Sequence, residues 1–93
     1  MQKSFFLNIL IPEKTLYKGS AESITVPGEI GYLGILAEHA PLMTTLVPGK
    51  IVVRGEKDSN AVFHSKGKGF LEVLKNKVTV LLETIEEKSD PSY

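Results

Sequence analysis

The sequence predicts an all-β domain, a sandwich or a barrel, on three observations. Short apolar runs alternate with polar residues at a period of two, as in a strand whose successive side chains face opposite sides. Gly and Pro recur between the runs, so each is closed by a turn before a helix of ordinary length can form. The runs are evenly spaced along a single chain of 93 residues, the pattern of strands packed round one core.

The elements follow in order. Phe5, Leu7, Ile9 and Ile11 alternate with Phe6, Asn8 and Leu10; the polar Asn8 marks the second face as outer and places Phe5, Leu7 and Ile9 inward. Pro12-Glu13-Lys14 turns the chain, and Thr15 to Lys18 is a short strand ended by Gly19. Glu22, Ile24 and Val26 face one way and Ser23 and Thr25 the other, a half-buried strand closed by a turn at Pro27-Gly28. Gly31 and Gly34 bracket Tyr32-Leu33. Apolar strands over Leu33 to Leu36 and Leu42 to Leu46 flank a second turn at His39-Ala40-Pro41, and Pro48-Gly49 makes a third. Lys50 to Arg54 is β-branched and stops at Gly55; Glu56 to Asn60 is wholly polar and reads as an exposed hairpin loop. Ala61 to Lys66 and Phe70 to Leu74 are strands around Gly67 and Gly69, a pair that signals a bulge or a close backbone approach. Lys75-Asn76-Lys77 is a turn, with Asn tolerant of left-handed geometry, and Val78 to Leu82 is the last strand. Leu7, Ile9, Ile24, Val26, Val78 and Val80 form the expected core. Residues 1–85 make one domain; 86–93 read as a polar, frayed tail in which Pro91 bars helix continuation.

Composition narrows the function. Eleven basic residues balance eleven acidic ones, so no broad field draws nucleic acid or an anionic membrane. Without cysteine there is no disulfide framework and no thiolate chemistry. A membrane-spanning helix needs about 20 apolar residues; the run from Phe5 to Ile11 is interrupted by Asn8 and stopped by Pro12, and no small-residue cleavage site follows it.

Chemical motifs are equally sparse. Gly28, Gly31 and Gly34 have the wrong spacing for a dinucleotide fingerprint and precede no helix; no phosphate loop occurs. Lys66 to Val73 partly mimics an RNA-recognition signature, but only Phe70 of its stacking aromatics is present. Two histidines, His39 and His64, cannot supply a zinc ligand set, and no nucleophile elbow appears. No catalytic, metal or cofactor site is expected. The remaining signal is Tyr32 with the apolar loop His39-Ala40-Pro41-Leu42, because exposed aromatic and apolar loop residues favour interfaces.

The order Val26-Pro-Gly, Gly31-Tyr-Leu-Gly-Ile-Leu36, His39-Ala-Pro-Leu42 and Leu46-Val-Pro-Gly49 resembles the N-terminal domain of the epsilon subunit of F-type ATP synthases. Gly67-Lys-Gly-Phe-Leu-Glu-Val73 and Lys77-Val-Thr-Val-Leu81 resemble the family's closing strands, so the likeness covers roughly residues 4 to 85. It implies a flattened sandwich of two roughly five-stranded sheets. It also implies a non-catalytic central-stalk subunit of a proton-translocating synthase, which binds the gamma subunit and the c-ring and couples rotation to ATP synthesis. The expected place is peripheral, on the cytoplasmic face of an energy-coupling inner membrane. The family's site maps onto Gly31, Tyr32 and Leu33, where an acidic residue lies near the c-ring loops, and onto His39, Ala40, Pro41, Leu42 and Met43, near gamma and the ring. Tyr32 departs from the family in replacing the acid. The two segments are expected close together at one end of the sandwich. Family members continue into a helical hairpin, linked to inhibition of ATP hydrolysis and in some to ATP binding; nothing here resembles it, so no ATP binding is expected. A different reading of the same residues is a free-standing β-sandwich module that binds a peptide or a sugar.

Overall fold

A computed structural model describes residues 3–86. Nine strands form in sequence: β1 (Phe5–Ile11), β2 (Lys14–Ala21), β3 (Ser23–Gly28), β4 (Gly31–Leu36), β5 (Leu42–Leu46), β6 (Gly49–Arg54), β7 (Asn60–Ser65), β8 (Gly69–Leu74) and β9 (Lys77–Leu82). The polar loop after β6 contains a single 3-10 turn, Glu56–Asp58.

The strands lie in the order β2-β1-β9-β8-β5-β3-β6-β7, with β4 on the other edge of β3. Five strands, β2 to β5 in that order, make one layer, and β4-β3-β6-β7 make the other. The layers join at two corners. At one, Gly28 pairs with Leu46 and the Val47 N–H donates to the Pro27 carbonyl at 2.9 Å. At the other, Ser65 bridges Ile85 and the Glu86 N–H donates to the His64 carbonyl at 2.8 Å. The all-β sandwich is therefore one continuous sheet curled over on itself.

Alternation explains the burial. On β1, Phe5, Leu7 and Ile9 face in while Phe6 faces out. β1 lies parallel to β9, with Leu7 opposite Val78 and Ile9 opposite Val80, so the first and last strands are zipped together through the core. The six residues read from the sequence as core are all buried, joined by Ile35, Leu46, Ile51, Val53 and Leu71. At the glycine pair, a Cβ on Gly69 would come within 2.7 Å of Leu82 and one on Gly67 within 2.5 Å of Glu83, the close approach those residues signalled.

The turns differ from the reading in two places. Pro27 and Gly28 are buried members of β3, and the chain reverses one step later at Glu29-Ile30. Proline fits this strand because its missing N–H lies on the side where only its carbonyl is used. Gly34 sits inside β4 with ordinary extended backbone, within the strand read over Leu33 to Leu36. Gly19, with φ +154°, lies within β2, which continues to Ala21. In the segment 86–93, Glu86 is pinned to His64, and the other positions lie outside the described residues.

Candidate functional site

The two segments singled out by sequence lie at opposite ends of β4. That strand pairs antiparallel with β3 from Gly28↔Gly31 to Ser23↔Leu36. Six residues of strand span roughly 20 Å, so Tyr32 and the His39 loop are separated by the length of the strand. The expectation that they sit together fails for a topological reason. The strand between them is short, but it is straight, and the chain leaves its far end before it turns.

The Tyr32 end is a two-residue hairpin. Gly31 closes it at φ +139°, which only glycine adopts without strain. Tyr32 lies on the outer face beside Pro27 and reaches over to β6, where the Lys50 N–H donates to its hydroxyl at 3.1 Å. A Cβ on Gly49 would meet Pro27 at 2.8 Å and the Tyr32 hydroxyl at 3.0 Å, so the glycine makes room for the ring. The Thr45 hydroxyl donates to the Glu29 carboxylate at 2.9 Å and ties the tip to β5. Tyr32 remains 59% exposed and Ile30, at the tip, 99%. Ile30 is a surface feature that the sequence reading passed over. Its signal was an isolated apolar residue between two turn residues, where a polar one is usual.

The His39 end is held by a residue far away in sequence. Asn76, in the β8–β9 turn at φ +61°, accepts the Glu38 N–H on its Oδ1 at 2.7 Å. Its Nδ2 donates to the Ser4 carbonyl at 2.9 Å, and its own carbonyl accepts the Phe6 N–H at 3.2 Å. One side chain thus joins the loop after β4, the last hairpin and the start of β1. Glu38 itself takes a left-handed φ of 62°. The His39 Nδ1 faces the Ala40 carbonyl at 2.7 Å, and since a carbonyl only accepts, Nδ1 carries the proton. Ala40 and Pro41 are exposed, and Met43, pointing outward from β5, is 64% exposed. A shallow hollow of about 360 Å³ beside it is lined by Pro41, Leu42, Met43, Glu72, Val73 and Leu74. Leu33 and Leu42 behave differently: both are half-buried and pack against the core.

The rest of the surface carries no assembled chemistry. Among the described residues, no three His, Cys, Asp or Glu side chains gather as a metal site. His64 lies on β7 opposite Lys50, away from the His39 loop. Phe70 of the RNA-like stretch is half-buried, with Leu81 and Thr45 as its cross-strand neighbours.

Residues 4–88 match the family profile of the ATP synthase delta/epsilon chain β-sandwich domain. The chain belongs to this family. An ATP synthase epsilon chain of Desulfosudis oleivorans is 38% identical over 92 residues, 97% of this chain and 67% of that one. One from Leptospira borgpetersenii is 44% identical over 85 residues, 90% of this chain and 65% of the relative. One from Koribacter versatilis is 42% identical, covering 97% of this chain and 62% of its own length. The chain thus spans about two-thirds or less of the length of these relatives. Among solved structures, a chain in the Euglena gracilis mitochondrial ATP synthase, resolved with OSCP, F1 and c-ring, superposes with a TM-score of 0.83 at 20% identity, covering 92% of this chain and 54% of its own. A chain in the central stalk and c-ring of the Tetrahymena thermophila enzyme gives 0.76 at 19% identity, covering 92% of this chain and 67% of its own. At those identities the superpositions speak for the fold.

Proposed function

We propose that this domain is a non-catalytic stalk subunit of an F-type ATP synthase, and that it uses the two ends of β4 on two partners. The Tyr32 end meets the c-ring and the His39–Met43 end meets the gamma subunit. The observation that carries this is the pairing of β4 with β3, which sets two exposed apolar ends apart on one rigid strand. A body that passes torque between partners has to resist bending, and a sheet closed at two corners round a fully buried core does so. The membrane association is peripheral, through the complex, on the cytoplasmic face of a bacterial-type membrane. ATP is not a ligand of this domain: it offers no helix N-terminus or glycine-rich phosphate cradle among the described residues.

The test is co-purification. The domain, co-expressed with a gamma subunit from the same source and then with gamma plus the c-ring, is expected to be retained by both. Failure to be retained by either partner, with the domain folded, contradicts the reading. A saturable heat with ATP in the micromolar range would contradict the exclusion of nucleotide.

A further inference from the structure

The loop between β4 and β5, residues 37–41, supplies His39, Ala40 and Pro41 to the end assigned above to gamma, and its own packing does little to hold it. None of its five side chains is buried. Glu38 takes φ 62°, a left-handed backbone that a residue with a Cβ leaves when nothing fixes it. The loop does not rest on the β8–β9 turn. A hollow of about 520 Å³ lies between them, walled by His39, Ala40 and Pro41 on one side and by Leu74, Lys75 and Asn76 on the other. The His39 N–H closes the loop on itself, donating to the Leu36 carbonyl at 3.3 Å. The bond from the Glu38 N–H to the Asn76 Oδ1, at 2.7 Å, reaches across to the turn.

The turn on the far side is firmly anchored. β8 and β9 pair without a break up to Leu74↔Lys77, and the Phe6 N–H of β1 donates to the Asn76 carbonyl at 3.2 Å. The two residues between, Lys75 at φ 52° and Asn76 at φ 61°, are both left-handed, the pattern of a type I′ hairpin in which asparagine and glycine fit best. The Asn76 side chain must also accept from Glu38 and donate to the Ser4 carbonyl at 2.9 Å. A carboxamide carries both groups on one carbon, whereas a carboxylate only accepts. Asparagine therefore meets all three demands of the position, aspartate two and glycine one. A loosely held loop is tied through this one side chain to a firmly held turn.

We propose that Asn76 is a positioning residue for the gamma contact: acting through the Glu38 N–H, it holds the His39 loop in the arrangement that gamma binds. The proposal rests on the stalk reading above. A loop cut free of Asn76 spends only part of its time in that arrangement, and the apparent Kd for gamma rises by the inverse of that fraction. Loss of the bond should weaken gamma binding although His39, Ala40, Pro41 and Met43 are all still present. The bond to Ser4 has a separate role. It ties the turn to the start of β1, so it contributes to the stability of the domain and not to the setting of the loop.

The test titrates the chain and three variants with a gamma subunit from the same source, below the denaturation midpoint of each. Asn76→Gly suits the left-handed turn but drops both side-chain bonds, and gamma should bind it about tenfold more weakly. Asn76→Asp keeps the acceptor for Glu38 and should bind within about twofold of wild type, even though its midpoint falls. Val53→Ala opens a cavity in the core on β6, lowers the midpoint with the Asn76 bridge intact, and should bind as wild type. In the free variants, exchange of the Glu38 amide should quicken in Asn76→Gly and stay slow in Asn76→Asp. A merely structural role would make binding follow the midpoint across all three. Wild-type binding or a slow Glu38 amide in Asn76→Gly, equal losses of binding in Asn76→Gly and Asn76→Asp, or a loss in Val53→Ala as large as that in Asn76→Gly, overturns the positioning role and leaves the stalk reading intact. A wild-type chain that gamma does not bind overturns both.

Discussion

The two ends of β4 are made in different ways. The Tyr32 end is local: a two-residue hairpin and contacts to strands next to it in the sheet hold the ring in place. The His39 end is long-range, with Asn76 reaching 38 positions back to Glu38 and 72 back to Ser4. A local end survives disturbance elsewhere in the domain; a long-range end reports on whether three distant parts of the chain are docked. If the proposed partners are right, the end facing gamma is the one tied to the integrity of the whole sandwich.

The largest expected effect breaks both ends together. Ile24 is fully buried on β3, the strand that pairs with β4. Ile24→Ala should cost about 2–5 kcal/mol, lost transfer energy plus a cavity, read as a fall in the denaturation midpoint. An unchanged midpoint would mean that this side chain does not sit in the core.

Next comes the long-range end on its own. Asn76→Gly keeps the left-handed backbone and removes both side-chain hydrogen bonds. It should cost about 1–3 kcal/mol, since the Glu38 N–H and the Ser4 carbonyl lose their partner, and exchange should quicken at Glu38 while Tyr32 stays as it was. Asn76→Asp retains the acceptor for Glu38 and loses the donor to Ser4, so it should fall between Gly and wild type. Equal protection changes at both ends would erase the distinction.

The local end gives the smallest effect on stability. Tyr32→Phe removes the acceptor of the Lys50 N–H at an exposed site, and should cost no more than about 1 kcal/mol, with the midpoint nearly unmoved.

Much of this was legible in the residues, and the exceptions share one cause. The period-two pattern gave Phe5, Leu7 and Ile9 their inward face, and β-branched runs gave the core of β3 and β9. Candidate loops were visible as Gly and Pro punctuation, because turn chemistry is written in a few residues. Pairing direction is not local. Whether Tyr32 and His39 meet depends on β4 running straight along β3, and that is fixed by hydrogen bonds to a strand elsewhere in the chain. The same holds for Asn76, whose position in a turn was readable but whose partners, Ser4 and Glu38, were not. Pro27-Gly28 misled as a turn because a strand tolerates proline wherever its N–H has no partner to meet. Leu42 illustrates the cost for the site: an apolar loop residue by sequence, it packs against the core, so a charge there would unfold the edge as well as undock it. Met43, next along β5 and outward-facing, is the cleaner probe.

The account's central claim is that the two ends of β4 serve two partners, and paired surface variants measure it directly. Met43→Asp and Tyr32→Ala, each checked for an unchanged fold, are compared for retention by gamma alone and by gamma with the c-ring. The account predicts that Met43→Asp loses gamma in both assays, while Tyr32→Ala keeps gamma at wild-type yield and weakens only the assembly that contains the ring. Loss of gamma by Tyr32→Ala to the same extent as by Met43→Asp, or wild-type retention of both variants in both assays, would contradict it.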